Sequence, residues 1–280
     1  PNLTTFDATY PGIASLSRNA RTLDRRLLAG LEKPAWDSLA AGLERRITDA
    51  VIDSALERTP PGYRPLVPSF AAKLRARRDS LGAVADRFYA ELARVVDVHA
   101  TNGADFTTVT YRDAGFVEVD LRSGAARYFR RRFDPRETRE IRVYLHDGDD
   151  SAVVTGNSRS GIVVRVVGGN GLNTLIDSTR HRLTRLYDRG RVRGISYGPV
   201  ALQDTLLDRR PWVDDTGSFR PPSPDYASRV TPTAGVGGGS GLGLVPRLGI
   251  GWTQYGFGRE PYASRVQLDA EYSLPVEFEV

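Results

Sequence analysis

Val143-Tyr-Leu-His-Asp-Gly-Asp-Asp-Ser-Ala-Val153 is one copy of a pattern that occurs three times, and this repeat predicts the central architecture. The same order of apolar run, Gly with Asp or Asn, and second apolar run occurs 23 residues later, between Val166 and Ile176. It also occurs 45 residues earlier, between Val98 and Thr108. Each copy is typical of a strand, a turn and a second strand. A unit repeated in this way predicts stacked strands, either in a short solenoid or in a tight sandwich.

The pattern on either side of this stretch gives the domain organisation. Alternation of apolar and polar residues predicts a repetitive antiparallel β module over residues 96–200. Residues 1–95 instead show helical spacing and predict a helical subdomain. Its first helix is short, from about residue 22 to 30, and two longer amphipathic helices follow. Their apolar stripes are Trp36, Leu39, Leu43, Ile47, Val51 and Ala55, then Phe70, Leu74, Leu81, Val84, Phe88, Leu92 and Val95.

The C-terminal third loses this repeat. Residues 201–240 are rich in Pro, Asp and Gly, which predicts a linker. Residues 241–280 alternate strictly, with Leu248, Ile250 and Trp252 on one face and small or charged residues on the other. This predicts a β-hairpin, either of a soluble sheet or as the first strands of an outer-membrane barrel. The expected class is therefore α+β.

Composition excludes several chemistries. The 280-residue sequence has no Cys, so thiol nucleophiles, disulfides and Cys-ligated metals are absent. It carries a net charge of +5, and all of its 39 basic residues except Lys33 and Lys73 are arginine, which we interpret as genome composition. No apolar stretch is long enough for a transmembrane helix. The sequence begins at Pro1 and contains no Met, which indicates a processed or excised segment.

The Asp- and Asn-rich turns are the most site-like feature. The candidate ligands are Asp147, Asp149, Asp150, Asn170 and Asn173. Their oxygens are of the kind that Ca²⁺ prefers, and the Gly-rich turn around Asn170 is similar to toxin-type calcium repeats. Asp and Asn are equally typical of turns with no metal, because they tolerate left-handed backbone and bond their own main chain. We expect structural turns, with calcium as the alternative and no other cofactor.

No catalytic constellation is present. His146 stands beside Asp147, but the three histidines, His99, His146 and His181, show no metal-ligand or triad spacing. The densest cationic stretch, Arg130-Arg131-Arg132, lacks the features of a nucleic-acid site and predicts an exposed sheet edge protected by charge. Acidic lipopolysaccharide or another protein is the alternative contact for it. We therefore expect a protein that is not an enzyme and binds no nucleic acid.

Several stretches together resemble one family. They are Leu23-Asp-Arg-Arg-Leu-Leu28 with Trp36, Ile47-Thr-Asp-Ala-Val-Ile52, Leu74-Arg-Ala-Arg-Arg-Asp-Ser-Leu81, Phe133-Asp-Pro-Arg-Glu-Thr-Arg-Glu-Ile-Arg-Val-Tyr144, Gly168-Gly-Asn-Gly171, Tyr226-Ala-Ser-Arg229 and Tyr255-Gly-Phe-Gly-Arg-Glu-Pro-Tyr-Ala-Ser-Arg265. They resemble the middle region of cell-envelope proteins that join a calcineurin-like metallophosphoesterase to an outer-membrane barrel of the bacterial surface-antigen type. The resemblance covers roughly residues 20–273. The phosphoesterase motifs have no counterpart here, and Asn173 stands where the family's toxin-like turn commonly has Asp.

The resemblance implies a spacer on the periplasmic face of the envelope, associated with the outer membrane. We expect a non-catalytic structural and interaction module that positions a neighbouring barrel, enzyme or membrane complex. Its partners would be other envelope or membrane proteins, contacted through the β module and the C-terminal strands. Two alternatives stay open, namely a calcium-stiffened β-repeat binding module and an accessory subunit of a larger membrane protein complex.

Overall fold

The computed structural model describes residues 6–17, 20–188, 192–196, 225–239 and 243–272. The chain divides into two compact units, Pro1–Thr205 and Leu206–Val280. The class is α+β, as the sequence predicts, with helices first, a repetitive strand region next and a separate antiparallel sheet at the C-terminal end.

The first unit begins with helices. They are α1 (Ile13–Leu16), α2 (Arg21–Leu27), α3 (Lys33–Arg46), α4 (Asp49–Glu57), a 3₁₀ turn (Pro61–Leu66), α5 (Val67–Asp79) and α6 (Leu81–Ala93). Among the described residues, none of these helices combines the length and the apolar character that a bilayer crossing requires.

Each of the two long predicted helices is divided in the structure. Thr48 separates α3 from α4, because its hydroxyl oxygen accepts a hydrogen bond from the amide of Val51 and caps the new helix. Ser80 separates α5 from α6 and donates its hydroxyl hydrogen to the carbonyl of Arg77. A hydroxyl side chain that bonds nearby backbone competes with helix continuation, and the apolar spacing alone does not show this.

The strands of the first unit form two sheets. The strands are β1 (Val95–His99), β2 (Asp105–Tyr111), β3 (Val117–Ser123), β4 (Ala126–Phe133), β5 (Glu140–Tyr144), β6 (Ser151–Thr155), β7 (Val163–Val167), β8 (Asn173–Asp177), β9 (Thr184–Tyr187) and β10 (Val192–Ser196). One sheet has the order β1-β5-β7-β9, and the other has the order β10-β8-β6-β2-β3-β4. The chain alternates between the sheets at each turn, except where β3 and β4 extend the second sheet.

The strand register reproduces the sequence repeat. Val96 pairs with Ile141 and Thr107 with Ala152, both 45 residues apart. Ile141 pairs with Val164 and Ala152 with Leu175, both 23 residues apart. Each repeat is therefore one level of a short two-sheet solenoid, with the β3–β4 excursion filling the longer interval.

The antiparallel pairing expected for this module is wrong for the repeats. Strands of successive levels pair in parallel in both sheets, and antiparallel pairing in the module is confined to β2–β3–β4. Parallel neighbours need a crossover, and here the strand of the opposite sheet provides it. Side chains alternate with period two in both kinds of sheet, so the apolar pattern does not distinguish them.

The core lies between the two sheets. It is formed mainly by small and branched apolar side chains that point inward from successive levels, including Val98, Val109, Val119, Ile141, Val143, Val154, Val164, Val166, Leu175 and Leu186. Burying each such side chain contributes about 1.5–3 kcal/mol relative to exposure. Because consecutive levels cover one another, the stack needs protection only at its ends.

Helices protect the first level. The second sheet extends by β3 and β4 beyond the edge of the first sheet, and the helical region packs there. The guanidinium of Arg131 points inward and donates to the carbonyl of Ala29 at 2.6 Å, and Arg25 forms an ion pair with Asp97 on β1 at 2.9 Å. The helical subdomain is thus a cap on the solenoid.

The second unit is a three-stranded antiparallel meander. Its strands are β11 (Ser228–Gly239), β12 (Gly243–Gly256) and β13 (Arg259–Glu271). Residues 228–239 belong to the predicted linker, but in the structure they form β11, which pairs with β12 from Ser228 opposite Gln254 to Gly239 opposite Gly243. The rest of the predicted linker, up to residue 224, lies outside the described residues, and the predicted hairpin corresponds to β12 and β13.

Candidate functional site

A column of polar side chains follows one turn of the solenoid from level to level. The amide of Asp105 donates to Oδ1 of Asp150 at 2.8 Å, and the amide of Asp150 donates to Oδ1 of Asn173 at 3.1 Å. The side-chain amide of Asn173 then donates to Oδ2 of Asp188 at 3.0 Å. Parallel stacking produces this column, because it places equivalent turn residues of each repeat above one another. We call these four residues the turn column.

The turn column is buried and rich in carboxylates. Its four members are at most 3% exposed, and one oxygen each of Asp105, Asp150 and Asp188 has no hydrogen-bond partner in the described part of the chain. The pKa of Asp150 is raised to about 7, mainly by burial and also by the charges of Asp105, Asp149 and Asp147, while the hydrogen bond from the Asp105 amide lowers it. Burial, together with the charge and hydrogen bond of Asp105, also raises the pKa of Tyr128.

Glycines allow the turns to stack closely. Gly148, Gly169 and Gly171 all have positive φ. A Cβ atom at Gly171 would overlap the carbonyl oxygen of Gly148, and one at Gly169 would overlap that of His146. The glycines of the repeat are therefore required by the contact between levels.

The predicted calcium ligands divide into two groups. Asp150 and Asn173 are buried in the turn column, whereas Asp147, Asp149 and Asn170 are exposed on the outside of the same turns. Oδ1 of Asp147 accepts from the side chain of Asn170 at 2.7 Å, and Oδ1 of Asp149 accepts from the amide of Leu172 at 2.8 Å. These bonds link successive levels.

The described residues contain no group of three or more acidic, His or Cys side chains placed to hold a metal ion. All five predicted ligands instead have partners on a neighbouring level. The arrangement is suited to stiffening the stack without a metal, and the calcium site stays a prediction.

The repeat could identify only part of the turn column. Asp105 is the equivalent of Asp150 at the offset of 45 residues, so alignment of the repeats would have added it to the candidates. Asp188 follows Asn173 by only 15 residues and lies outside the repeat pattern. Its place in the column depends on the three-dimensional path of the last level, which the sequence does not reveal.

The histidines are placed in two ring clusters. Nδ1 of His99 lies 2.9 Å from Nε2 of His146, and the ring of His99 stacks on that of Tyr144 with centroids 5.0 Å apart. His181 is remote in sequence and packs edge-on against Tyr111, with ring centroids 4.1 Å apart. Both ring nitrogens of His181 are buried without a hydrogen-bond partner among the described residues, and burial lowers its pKa.

The cationic stretch forms the predicted edge strand. β4 is the outermost strand of its sheet, and Arg130 and Arg132 are exposed on it. Arg131 alternates to the inner side, where it contacts the hydroxyl of Tyr89, and that hydroxyl donates to Glu137 at 2.5 Å. Burial raises the pKa of Tyr89 to about 12 and lowers that of Arg131. One of the three arginines therefore belongs to the junction with the helical cap.

Comparison with protein-family models, curated proteins and solved structures gives no significant match to this chain. The resemblance to phosphoesterase–barrel envelope proteins accordingly stays a prediction, and the function is argued from the fold and the surfaces.

Proposed function

We propose that this chain is a non-catalytic structural module of the cell envelope that is attached to the outer membrane through its C-terminal sheet. In this proposal the apolar face of that sheet contacts lipid acyl chains. The solenoid serves as a stiff spacer on the periplasmic side and positions a neighbouring barrel, enzyme or membrane complex. The observation that carries the proposal is the exposure of this apolar face across all three strands.

The register of the strands makes the face continuous. Val230 pairs with Trp252, Ile250 pairs with Leu268, and Trp252 pairs with Val266, so the apolar side chains share one side of the sheet. Leu248 and Leu268 are each 67% exposed. A sheet in a water-soluble domain buries its apolar face against another layer, which makes exposure on this scale a mark of an interaction surface.

The opposite face is polar. Arg247 forms an ion pair with Glu271 across β12 and β13. On β13, Arg265 donates to Gln267 and Gln267 donates to Asp269. Apolar residues on one face and polar or small residues on the other are typical of strands between lipid and a water-filled interior.

The dimensions of the face also fit a bilayer. The apolar positions of β12 extend from Leu244 to Trp252, about 27 Å at the usual rise of a strand, and the lipid-facing band of membrane barrels is about 25 Å tall. Trp252 and Tyr262 lie near one end of the band and Tyr272 lies at the other, as the aromatic belts of membrane proteins do. A closed barrel requires at least eight strands, so these three form part of a lipid-facing wall.

Two features of the solenoid support a stiff and non-catalytic role. Its turn side chains form hydrogen bonds between successive levels. The backbone hydrogen bonds of the parallel strands join the same levels. The three histidines are engaged in ring contacts, with each other, with Tyr144 or with Tyr111.

Site-specific labelling tests the membrane assignment. The chain has no cysteine, so Leu268→Cys on the apolar face and the matched control Gln267→Cys on the polar face give single labelling sites for a polarity-sensitive fluorophore. With phosphatidylethanolamine–phosphatidylglycerol vesicles, we expect the label at 268 to shift to shorter wavelength and to resist aqueous quenchers. The label at 267 should stay accessible to the same quenchers.

Two outcomes would refute the proposal. Equal quenching at both positions in vesicles would mean that the apolar face does not enter lipid. A second outcome is protection of position 268 without vesicles, in detergent below its critical micelle concentration. Together with a particle larger than one chain by light scattering, it would mean that another copy of the protein covers the apolar face.

A further inference from the structure

β4 has a free edge within the described part of the chain. The amide of Arg112 donates to the carbonyl of Phe116 at the β2–β3 turn, which fixes the alternation of hydrogen bonds along β3. Residues 118 and 120 of β3 then face β2, and residues 117, 119 and 121 face β4. On β4, the amides and carbonyls of Arg130 and Arg132 consequently point away from the sheet.

One outward amide of this edge already donates a hydrogen bond to a carboxylate of the same chain. The outward amide of Arg132 donates to Oε1 of Glu32, which lies just before α3, at 3.3 Å. The next outward amide, that of Arg130, has no such partner among the described residues. An unpaired row of backbone groups on a sheet edge is a template for another strand.

The side chains along the edge are cationic and accessible. The side chains of Arg127 and Arg130 are 43% and 51% exposed, and Tyr128 is 42% exposed as a residue. Their acidic partners, Asp120 and Glu118, are only 13% and 19% exposed. The guanidinium groups are therefore more accessible to a partner than the carboxylates with which they pair.

We propose that the edge of β4 binds an extended acidic segment of a partner protein, which adds to the sheet as a further strand. The backbone groups of Arg130 and its neighbours would provide the hydrogen bonds, and the arginines would select for acidic side chains. A second copy of β4 is disfavoured, because it would place arginine opposite arginine. β4 belongs to the first compact unit, so this inference does not depend on the membrane proposal.

Two synthetic peptides test the strand addition. The first has about ten residues with alternating Glu and Thr, and the second has the same sequence and charge but carries N-methyl groups on the amides of two consecutive central residues, which removes a donor facing β4 whichever way the added strand runs. We expect the 280-residue chain in neutral detergent to bind the first peptide at least about tenfold more tightly by calorimetry. Hydrogen exchange should slow at residues 126–133 on binding. Equal affinity for both peptides, or unchanged exchange in that segment, would overturn the proposal.

Substitutions on β4 separate backbone pairing from charge. Arg130→Pro removes an outward donor and leaves the ladder to β3 intact, whereas Arg130→Thr removes only the charge. We expect affinity to fall with Thr and to fall further with Pro. Arg136→Thr is the matched control, since Arg136 is 84% exposed in the following turn and should not affect binding. If both Arg130 variants bind like the parent protein, β4 is not the binding edge.

Discussion

The amide nitrogen of Asp105 lies 2.8 Å from Oδ1 of Asp150, which follows it by 45 residues and occupies the next level of the solenoid. The other oxygen of Asp150 is buried and has no hydrogen-bond partner within the described residues. The same carboxyl group thus joins two levels through one oxygen, while its other oxygen has no partner to stabilise the ionised form. Its ionisation and the stability of the stack are therefore linked.

Asp150→Asn should stabilise the protein at alkaline pH. The folded pKa of Asp150 is about 7, above its ordinary value, so its ionisation opposes folding. Its contribution to stability is greatest below the unfolded pKa, falls as the pH rises towards 7, and is constant above that. Asn keeps the acceptor for Asp105 and removes the charge. We expect a gain on the order of 2 kcal/mol at about pH 8, and little change at about pH 4, by chemical denaturation.

Asp149→Asn is the control for this prediction. Asp149 is in the same turn and also accepts a backbone hydrogen bond, from Leu172, but it is exposed. The charge of Asp149 is one of the smaller causes of the raised pKa of Asp150, so its substitution should change the pH dependence of stability much less than Asp150→Asn does. A similar gain from both variants would indicate general charge repulsion instead of the buried position of Asp150.

The repeat in the sequence predicts which residues stack, but not how the strands run. The offsets of 23 and 45 residues are the register of Ile141 with Val164 and of Val96 with Ile141. The inward positions of these residues alternate with polar ones, and that alternation is the same for parallel and antiparallel neighbours. The direction follows from the alternation of the chain between two sheets, which is a property of the whole path.

The turn column is predictable only where its residues occupy equivalent positions of the sequence repeat. Asp150 and Asn173 stand at equivalent positions of two repeats, and both belong to the turn column. Asp188 enters the column from the end of β9, where no repeat marks it. The end of α3 and the start of α4 likewise depend on a local interaction. The single capping hydroxyl of Thr48 divides the helix that the continuous apolar stripe predicts.

Gly171→Ala should destabilise the solenoid strongly. Gly171 has φ of +96°, and an added Cβ would overlap the backbone carbonyl of Gly148 on the preceding level. The change therefore combines backbone strain with separation of two levels, and we expect a loss of about 2 kcal/mol or more. Gly161→Ala is the control, since no atom lies within 4 Å of its added Cβ. Comparable thermal denaturation of the two variants would contradict the close stacking of the turns.

Calcium should not change the stability of the chain. Asp147 and Asp149 bond Asn170 and Leu172, and Asp150 and Asn173 bond along the turn column, so a metal ion would have to displace bonds between levels. We expect no heat in calorimetric titration with Ca²⁺, and the same melting temperature with Ca²⁺ or with a chelator. A calcium-dependent rise in melting temperature that Asp149→Asn abolishes would instead favour the calcium-stiffened module.

His181→Phe should stabilise the protein in acid, which is the opposite trend to that of Asp150. Both ring nitrogens of His181 are buried without hydrogen-bond partners in the described residues. Burial lowers the pKa of His181 by more than the negative charge of Asp177 raises it. For a base with a lowered folded pKa, stability is lost as the pH falls below the unfolded value of about 6.5. Phe keeps the edge-on contact with Tyr111 and cannot be protonated. Denaturation curves of the variant should lie above those of the parent protein at about pH 5 and approach them above about pH 7. A constant offset at all pH values would show that packing, and not protonation, is what the substitution changes.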